Sequence, residues 1–173
     1  MKAQPVTGQE IVLKPTQTIQ SRTDERGVIT YANPTLVEVS GFSREELEGR
    51  PHNILRHPDM PRSVFQLMWE TIQSGQEFYG YVVNRAKSGD HYWVIAYVAP
   101  RRDAGDRIIG YSSVRRAPLR ERIEEWADVY RRMRAIEAEV DRSLQCAAGR
   151  AWLEKYLRRT RYPGLTEYVL SGL

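Results

Sequence analysis

The distribution of apolar and polar residues predicts an alternation of short strands and short helices from Thr18 onward. The runs TIQSRT and VITYA are β-prone and flank the turn-like DERG, so they predict a hairpin. Asn33-Pro34 ends the second strand, because Pro34 is well suited to the first position of a helix. Gly41 is the expected end of that helix. Ser43 and Glu46 have the spacing of a capping box, which indicates a second short helix.

Helical spacing of apolar residues then predicts one longer helix from Pro61 to Gly75. Three β-rich segments follow, Phe78 to Asn84, His91 to Ala99 and Arg107 to Val114, and turn residues separate them. Strands on both sides of a helical insert predict an α+β domain. Its five-stranded antiparallel sheet has helices on one face, with a cavity between the sheet and the helices.

The pattern changes after Pro118. Apolar residues recur at heptad spacing, which predicts a long amphipathic helix: Leu119, Ile123, Trp126, Tyr130 and Met133, continued after a phase slip by Ile136, Val140 and Leu144. Gly149 is expected to break this helix before a shorter one from Ala151 to Arg159. The chain therefore divides into an N-terminal arm (1–17), a domain (18–117) and a C-terminal helical segment (118–173). The apolar stripe either pairs with a second copy or folds back onto the sheet, and a homodimer is the preferred prediction.

Composition excludes several classes of function. The 26 Lys and Arg residues oppose 22 Asp and Glu residues, and both signs are interleaved along the chain, so no clustered basic surface for nucleic acid is expected. The densest cluster, at 131–134, is typical of a solvated helix face. A single cysteine, Cys146, indicates a reducing compartment. The longest apolar run, Trp93 to Ala99, is too short to span a bilayer, and no secretory signal is present, so a cytoplasmic protein is predicted.

Candidate chemistry is concentrated in the segment RPHNILRHPDMP at 50–61. Its prolines restrict the backbone, and its two His, two Arg, Asn and Asp side chains could form a fixed set of donors. Simpler roles are also open: His57 could hydrogen-bond only to backbone, and Asp59 could cap the helix that follows. No set of nucleophile, base and orienting residue is recognisable, so an enzyme is not predicted.

Residues from about Thr18 to Arg116 resemble a PAS domain. The strings YANPTLVEVSGF, GRPHNILRHPDMP and NRAKSGDHYWV closely resemble the flavin-binding PAS domain of bacterial aerotaxis receptors. The resemblance implies the PAS fold and FAD bound non-covalently between the sheet and the helices. It also implies that the redox state of the flavin is the signal, passed through the C-terminal helices to a downstream signalling protein or output domain.

The resemblance also implies which residues bind the cofactor. They are Asn33, Arg56, His57, Asp59, Trp69 and Asn84. His52, from the same segment, and Phe78, as an aromatic wall, complete the candidate set, and no metal ligands are expected. Amide groups such as those of Asn33 and Asn84 can read the edge of a flavin, aromatic side chains can form walls, and Arg56 can pair with phosphate. The family has Trp at the start of the third strand where this chain has Phe78, so an indole contact is lost there.

Rival cofactors are distinguished by single residues. Light-oxygen-voltage domains form an adduct through Cys in a GRNC segment, whereas this chain has GRPH at 49–52. Heme remains an alternative because His52 or His57 could be an axial ligand. A PAS module without cofactor, used for dimerisation or docking, is the third reading. The residues do not decide between FAD and FMN, or between a fragment of a longer receptor and a short soluble sensor.

Overall fold

The computed structural model describes residues 4–172, and its architecture is the predicted α+β arrangement. One antiparallel sheet contains all five strands in the spatial order β2-β1-β5-β4-β3. The strands are β1 (Ile19–Thr23), β2 (Ile29–Ala32), β3 (Phe78–Arg85), β4 (His91–Arg102) and β5 (Ile108–Arg116). The last three form the predicted meander, and β1 joins it through β5.

The four helices before β3 lie on one face of the sheet, here called the inner face. They are α1 (Pro34–Ser40), α2 (Arg44–Leu47), a 3-10 helix (His52–Leu55) and α3 (Arg62–Gln73). Pro34 opens α1 and Gly41 ends it in a left-handed conformation, as predicted. The capping box of Ser43 and Glu46 is present in full at the start of α2.

Successive side chains of a strand point to opposite faces, which separates two environments. In β3, Val82 and Asn84 point to the inner face and line a cavity there. Tyr81 points to the outer face, where its ring stacks on Trp126 with centroids 5.3 Å apart. One strand therefore contributes a polar group to the cavity and aromatic packing to the opposite side.

Three C-terminal helices wrap around the β3 edge of the sheet. They are α4 (Arg120–Ala138), α5 (Gln145–Leu157) and α6 (Leu165–Leu170). On the outer face, α4 places Trp126 on Tyr81 and Tyr130 on Trp93. Helix α5 packs against both α3 and α4, and α6 packs against β3. Because β3 is an edge strand, this wrapping also covers an edge open to pairing with another chain.

The predicted position of the helix break was wrong. The long helix ends at Ala138, and α5 begins at Gln145, so the break lies between these residues and the predicted stripe positions Val140 and Leu144 fall outside α4. Gly149 lies inside α5, where a Cβ atom would be 2.5 Å from Ser63 Oγ. Glycine is needed there because two helices approach closely, and it does not end a helix.

The apolar stripe of the C-terminal segment is used within the chain. Ile123, Trp126, Tyr130 and Met133 are all buried against the sheet and the other helices. The stripe folds back, so the prediction that it forms a homodimer interface is corrected: its core positions are already covered. Leu119 and Leu144, at the two ends of the stripe, remain exposed.

The N-terminal arm is ordered along the sheet from residue 4 onward. The backbone of Gln9 and Ile11 exchanges hydrogen bonds with His91 at the start of β4, and Thr7 bonds to Gly89. Leu13 is buried. Residues 1–3 of the arm lie outside the described residues.

Candidate functional site

A cavity of about 340 Å³ lies between the inner face of the sheet and α3. Its volume is within the range of pockets that bind small molecules and cofactors. The wall formed by α3 is mainly apolar and includes Phe65, Met68, Trp69 and Ile72, with Gln66 as its polar member. The sheet wall is more polar, because it combines Val82, Ala96 and Val98 with Ser21, Thr23, Asn84, Ser113 and Arg115.

Arg115 is the most unusual member of the sheet wall. It is 3% exposed, and no carboxylate pairs with it anywhere in residues 4–172. Its guanidinium donates to Ser113 Oγ at 3.0 Å, to Ser21 Oγ at 2.5 Å and to His52 Nε2 at 2.7 Å. Burial lowers the pKa of Arg115 to about 10, so the group keeps its charge at neutral pH. The cavity wall therefore contains a positive charge without a counter-ion.

His52 is held as a neutral acceptor beside this charge. Burial, and then the charge of Arg115, lowers the pKa of His52 to about 3. Since Nε2 receives an N–H of Arg115, the ring proton is placed on Nδ1. The imidazole thus orients Arg115 and keeps no free lone pair on Nε2 for another ligand.

Several polar groups of the cavity wall lack hydrogen-bond partners. Within the described chain, Arg115 Nη1, Asn84 Nδ2 and Thr23 Oγ1 are buried and unpaired. A buried donor without a partner costs about 1–3 kcal/mol, so such groups are rare in finished cores. All three border the same cavity, so a ligand that carries acceptors such as carbonyl oxygens or ring nitrogens could pair with them there.

Trp69 forms an aromatic corner of the cavity. Its ring meets Tyr111 edge-on, with centroids 5.5 Å apart. The turn between β1 and β2 closes over the indole at Gly27, where a Cβ atom would lie 2.8 Å from Trp69 Cη2. Gly27 also has a φ of 81°, which disfavours other residues. The hairpin turn therefore fixes the position of the indole.

Arg56 lies at the rim of the cavity. Its guanidinium is 4.3 Å from the centroid of Phe65 and donates to the carbonyl of Met60 at 3.4 Å. Burial lowers the pKa of Arg56. No ion pair occupies this side chain in residues 4–172, so its remaining donors are available to an anionic group at the rim.

Four of the eight predicted cofactor residues line the cavity, namely His52, Arg56, Trp69 and Asn84. Asn33 does not, because its side chain is fully used near α1. Its Oδ1 accepts from the backbone of Gln20 and Leu36, and its Nδ2 donates to the carbonyl of Thr18. Phe78 is buried at the start of β3, where its ring lies over Gly80 and outside the cavity lining.

His57 and Asp59 lie on the far side of the same loop, away from the cavity. His57 is 6% exposed, and its Nδ1 accepts from the backbone N–H of Asp59 at 3.1 Å. Burial lowers the pKa of His57. Asp59 forms an ion pair with Arg134 of α4 at 2.6 Å. These two residues therefore connect the loop to the C-terminal segment, and their role towards a ligand stays a prediction.

The sequence analysis missed Arg115 together with its partners Ser21 and Ser113. The predicted last strand ended at Val114, so Arg115 fell just outside it. Alternation along β5 contained the signal, because Tyr111, Ser113 and Arg115 share one face of the strand. An arginine in register with residues on the buried face would have identified the charge in the cavity.

The donor set fits a flat heteroaromatic cofactor such as a flavin. Apolar groups on the helical side and unpaired N–H donors on the sheet side match a ring with two faces and a polar edge. Heme fits less well, because His52 Nε2 accepts from Arg115 and His57 does not line the cavity. Across residues 4–172, no group of three or more His, Cys, Asp or Glu side chains could hold a metal ion.

Sequence comparisons agree with the fold. A family model described as the PAS fold matches residues 29–115. The aerotaxis receptor of Escherichia coli strain K12 is 44% identical over 130 residues, which cover 75% of this chain and 26% of that protein. The nitrogen fixation regulatory protein of Klebsiella pneumoniae is 35% identical over 80 residues, 46% of this chain and 16% of that protein. The chain thus spans about a quarter or less of these relatives.

Solved structures show the same fold at lower identity. A light-oxygen-voltage domain studied with a flavin analogue has a TM-score of 0.56 at 18% identity, covering 64% of this chain and 83% of that chain. The dark-state domain of the blue-light photoreceptor Aureochrome1 has a TM-score of 0.55 at 24% identity, covering 69% of this chain and 86% of that chain. Among residues 4–172, every helix is too short or too polar to cross a bilayer.

Proposed function

We propose that this chain, which belongs to the PAS-fold family, is the sensory part of a signal-transducing protein that responds to redox state or oxygen. Residues 18–117 form the sensory domain and bind a flavin without a covalent bond, with FAD as the first candidate. Residues 118–173 relay its state to a downstream partner or output region. A cytoplasmic location and assembly as a homodimer, through a surface other than the apolar stripe of α4, belong to the same proposal.

The observation that carries the proposal is the unpaired positive charge of Arg115 in the cavity wall. A flavin supplies redox chemistry, and its reduction adds negative charge to the ring. Arg115 would favour the more negative form by direct charge attraction, while Asn84 would donate to an acceptor on the ring edge. His52 would hold the guanidinium in place. The oxidised and reduced cofactor would therefore act differently on the same wall residues.

A short covalent path leads from this wall to the proposed relay. Strand β5 contains Arg115, ends at Arg116, and is followed by α4 from Arg120. The backbone of Arg115 is thus only a few residues from the start of α4, and a shift of the guanidinium would reach α4 along this path. The switch would be a rearrangement of hydrogen bonds in response to the flavin, for which the sequence offers the amides of Asn33 and Asn84. The full use of Asn33 as a helix cap makes Asn84 and Arg115 the better candidates.

The similarity to an aerotaxis receptor and a nitrogen fixation regulator supports a sensory role, and likeness to a domain studied with a flavin analogue supports a flavin. The test is the absorption spectrum of freshly purified protein, followed by mass analysis of the released ligand. The expected result is a two-banded yellow spectrum and one flavin per chain, with the mass of FAD. A Soret band would favour heme, and a colourless protein that takes up neither FAD nor FMN would favour the docking module.

A further inference from the structure

Glu137, near the end of α4, caps a helix that is distant in sequence. Its side chain is buried, and its carboxylate accepts from the backbone N–H groups of Arg62 and Ser63, each at 3.0 Å. Ser63 Oγ donates to the same carboxylate at 2.5 Å. These amides belong to the first turn of α3, where no partner exists within the helix. The preceding residue, Pro61, provides no side-chain cap.

The capped helix is also the apolar wall of the cavity. Phe65, Met68 and Trp69 of α3 face the space on the inner side. A carboxylate at the positive end of a helix stabilises it and fixes its position, and burial strengthens the effect. Glu137 therefore controls an element that would contact the ring of a bound ligand, although it is not itself part of the cavity lining.

The same point is the contact between α3 and α5. At Gly149 of α5, a Cβ atom would lie 2.5 Å from Ser63 Oγ and 2.7 Å from Glu137 Oε1. Three helices meet there without space for an additional methyl group. Close packing transmits small displacements, so a shift of α3 cannot leave α4 and α5 unchanged.

A second link from the same face of α4 reaches the loop that carries Arg56. Arg134, one turn before Glu137, forms the ion pair with Asp59, which follows Arg56 by three residues. Helix α4 is thus attached both to the helical wall and to the loop that carries Arg56.

We propose that Glu137 is the positioning residue through which the C-terminal segment and the ligand cavity act on each other. The inference rests on the proposed function, because it takes a flavin as the ligand. A ligand that fixes the position of α3 stabilises the hydrogen bonds between its first turn and the Glu137 carboxylate. These hydrogen bonds in turn hold α3 in its ligand-binding position. Such coupling between two sites is reciprocal.

The experiment compares wild type with Glu137→Gln. The amide keeps the size of the side chain and one acceptor, but it turns an N–H group towards a backbone donor of α3 and removes the charge. Glu139→Gln is the matched control. Glu139 lies two residues further along the chain, at the C-cap of α4, where it is exposed and forms no ion pair in the described chain. Two quantities are measured: FAD affinity by titration, and backbone hydrogen exchange of 62–73 and 145–157 with and without FAD.

We expect Glu137→Gln to weaken FAD binding by about fivefold or more and to reduce the protection that FAD gives to 145–157. Glu139→Gln should match wild type in both. Ser63→Ala, which removes one of the three donors, should give a smaller loss of the same kind, and Glu137→Asp should be intermediate. This graded series separates positioning from general destabilisation, which is followed for each variant by urea unfolding.

Equal FAD affinity and equal protection in Glu137→Gln and wild type would overturn the inference while leaving the proposed function intact. A loss of affinity that only follows the loss of stability, and that Glu139→Gln shares, would also overturn it. A folded wild type that takes up no flavin would instead remove the proposed function, and this inference with it.

Discussion

The two faces of the sheet come from the same strands but differ in packing and polarity. On the outer face, aromatic rings from β3, β4 and α4 are packed together, with Trp126 completely buried against Tyr81 and Tyr130. On the inner face, a charged and polar wall surrounds a cavity, and some of its donors, such as Arg115 Nη1, are unpaired. Trp126 Nε1 on the outer face is also unpaired, but packed rings enclose it. The unpaired donors of the inner face border a cavity, where a ligand could accept hydrogen bonds from them.

The largest expected effect is on the outer face. Trp126→Ala should lower the free energy of unfolding by about 3–5 kcal/mol, because it removes a completely buried indole from between two other rings. Urea unfolding followed by circular dichroism measures this. Trp152→Ala, in a half-buried position of α5, is the control and should cost clearly less. Equal losses in both variants would mean that the outer-face stack is not the main support of α4.

The second prediction concerns pH and the inner face. Since burial lowers the pKa of His52 to about 3, the unfolded chain binds a proton near pH 6.5 that the folded chain does not accept. The stabilisation is therefore complete above pH 6.5 and is lost as the pH falls towards 3, by up to about 1.4 kcal/mol per pH unit. His52→Gln keeps an acceptor and cannot titrate.

The measurement is the free energy of unfolding at several pH values between 7 and about 4.5, in the range where His charges. The difference between wild type and His52→Gln should shift with pH in the direction that weakens wild type in acid. His57 also has a lowered pKa and is present in both proteins, so it cancels in the difference. Parallel curves for the two proteins would show that His52 titrates normally and is not held neutral beside Arg115.

The third prediction separates ligand binding from stability. Arg115→Met should change the unfolding free energy of ligand-free protein only modestly, because the relief of a buried charge without a counter-ion is offset by the loss of its hydrogen bonds to Ser21, Ser113 and His52. Flavin affinity should fall about tenfold or more, since hydrogen bonds from a charged donor are lost. Arg116→Met, at the neighbouring exposed position of β5, should change neither. A strongly destabilised Arg115→Met with unchanged affinity would assign Arg115 to the core.

The smallest effect is expected at the junction of the two regions. Asp59→Asn removes an ion pair with Arg134 whose side chains are 52% and 37% exposed, so the unfolding free energy should fall by at most about 1 kcal/mol. Asp128→Asn, which breaks exposed pairs on α4, is the control. Flavin content of the Asp59 variant tests the role implied by the resemblance. A much larger loss of stability would show that the loop depends on this pair.

Local patterns predicted the elements well, because strands and short helices obey rules that a few neighbouring residues satisfy. The capping box at Ser43 and the glycine end at Gly41 are of this kind. The break in the C-terminal helices was predicted at the wrong place, because Gly149 allows α5 to approach Ser63, which lies 86 positions earlier in the chain. No local pattern contains such a contact.

The site was predicted only in part for the same reason. Arg56, Trp69 and Asn84 were identified by resemblance and His52 from the segment at 50–61, and all four line the cavity. The charge at Arg115 depends on the register of β5 against β1 and β4, which pairing across the sheet decides. The chemistry that distinguishes the inner face is thus a tertiary property, whereas the apolar stripe that covers the outer face was visible along the chain.

Titration of ligand-free protein with riboflavin, followed by quenching of flavin fluorescence, tests most directly whether the inner face binds a flavin ring. Riboflavin has the ring and lacks phosphate, so surface cations do not contribute. The account predicts saturation at one riboflavin per chain for wild type and for Arg116→Met, and clearly weaker binding for Arg115→Met. Absence of saturable binding to the folded wild-type protein would contradict it.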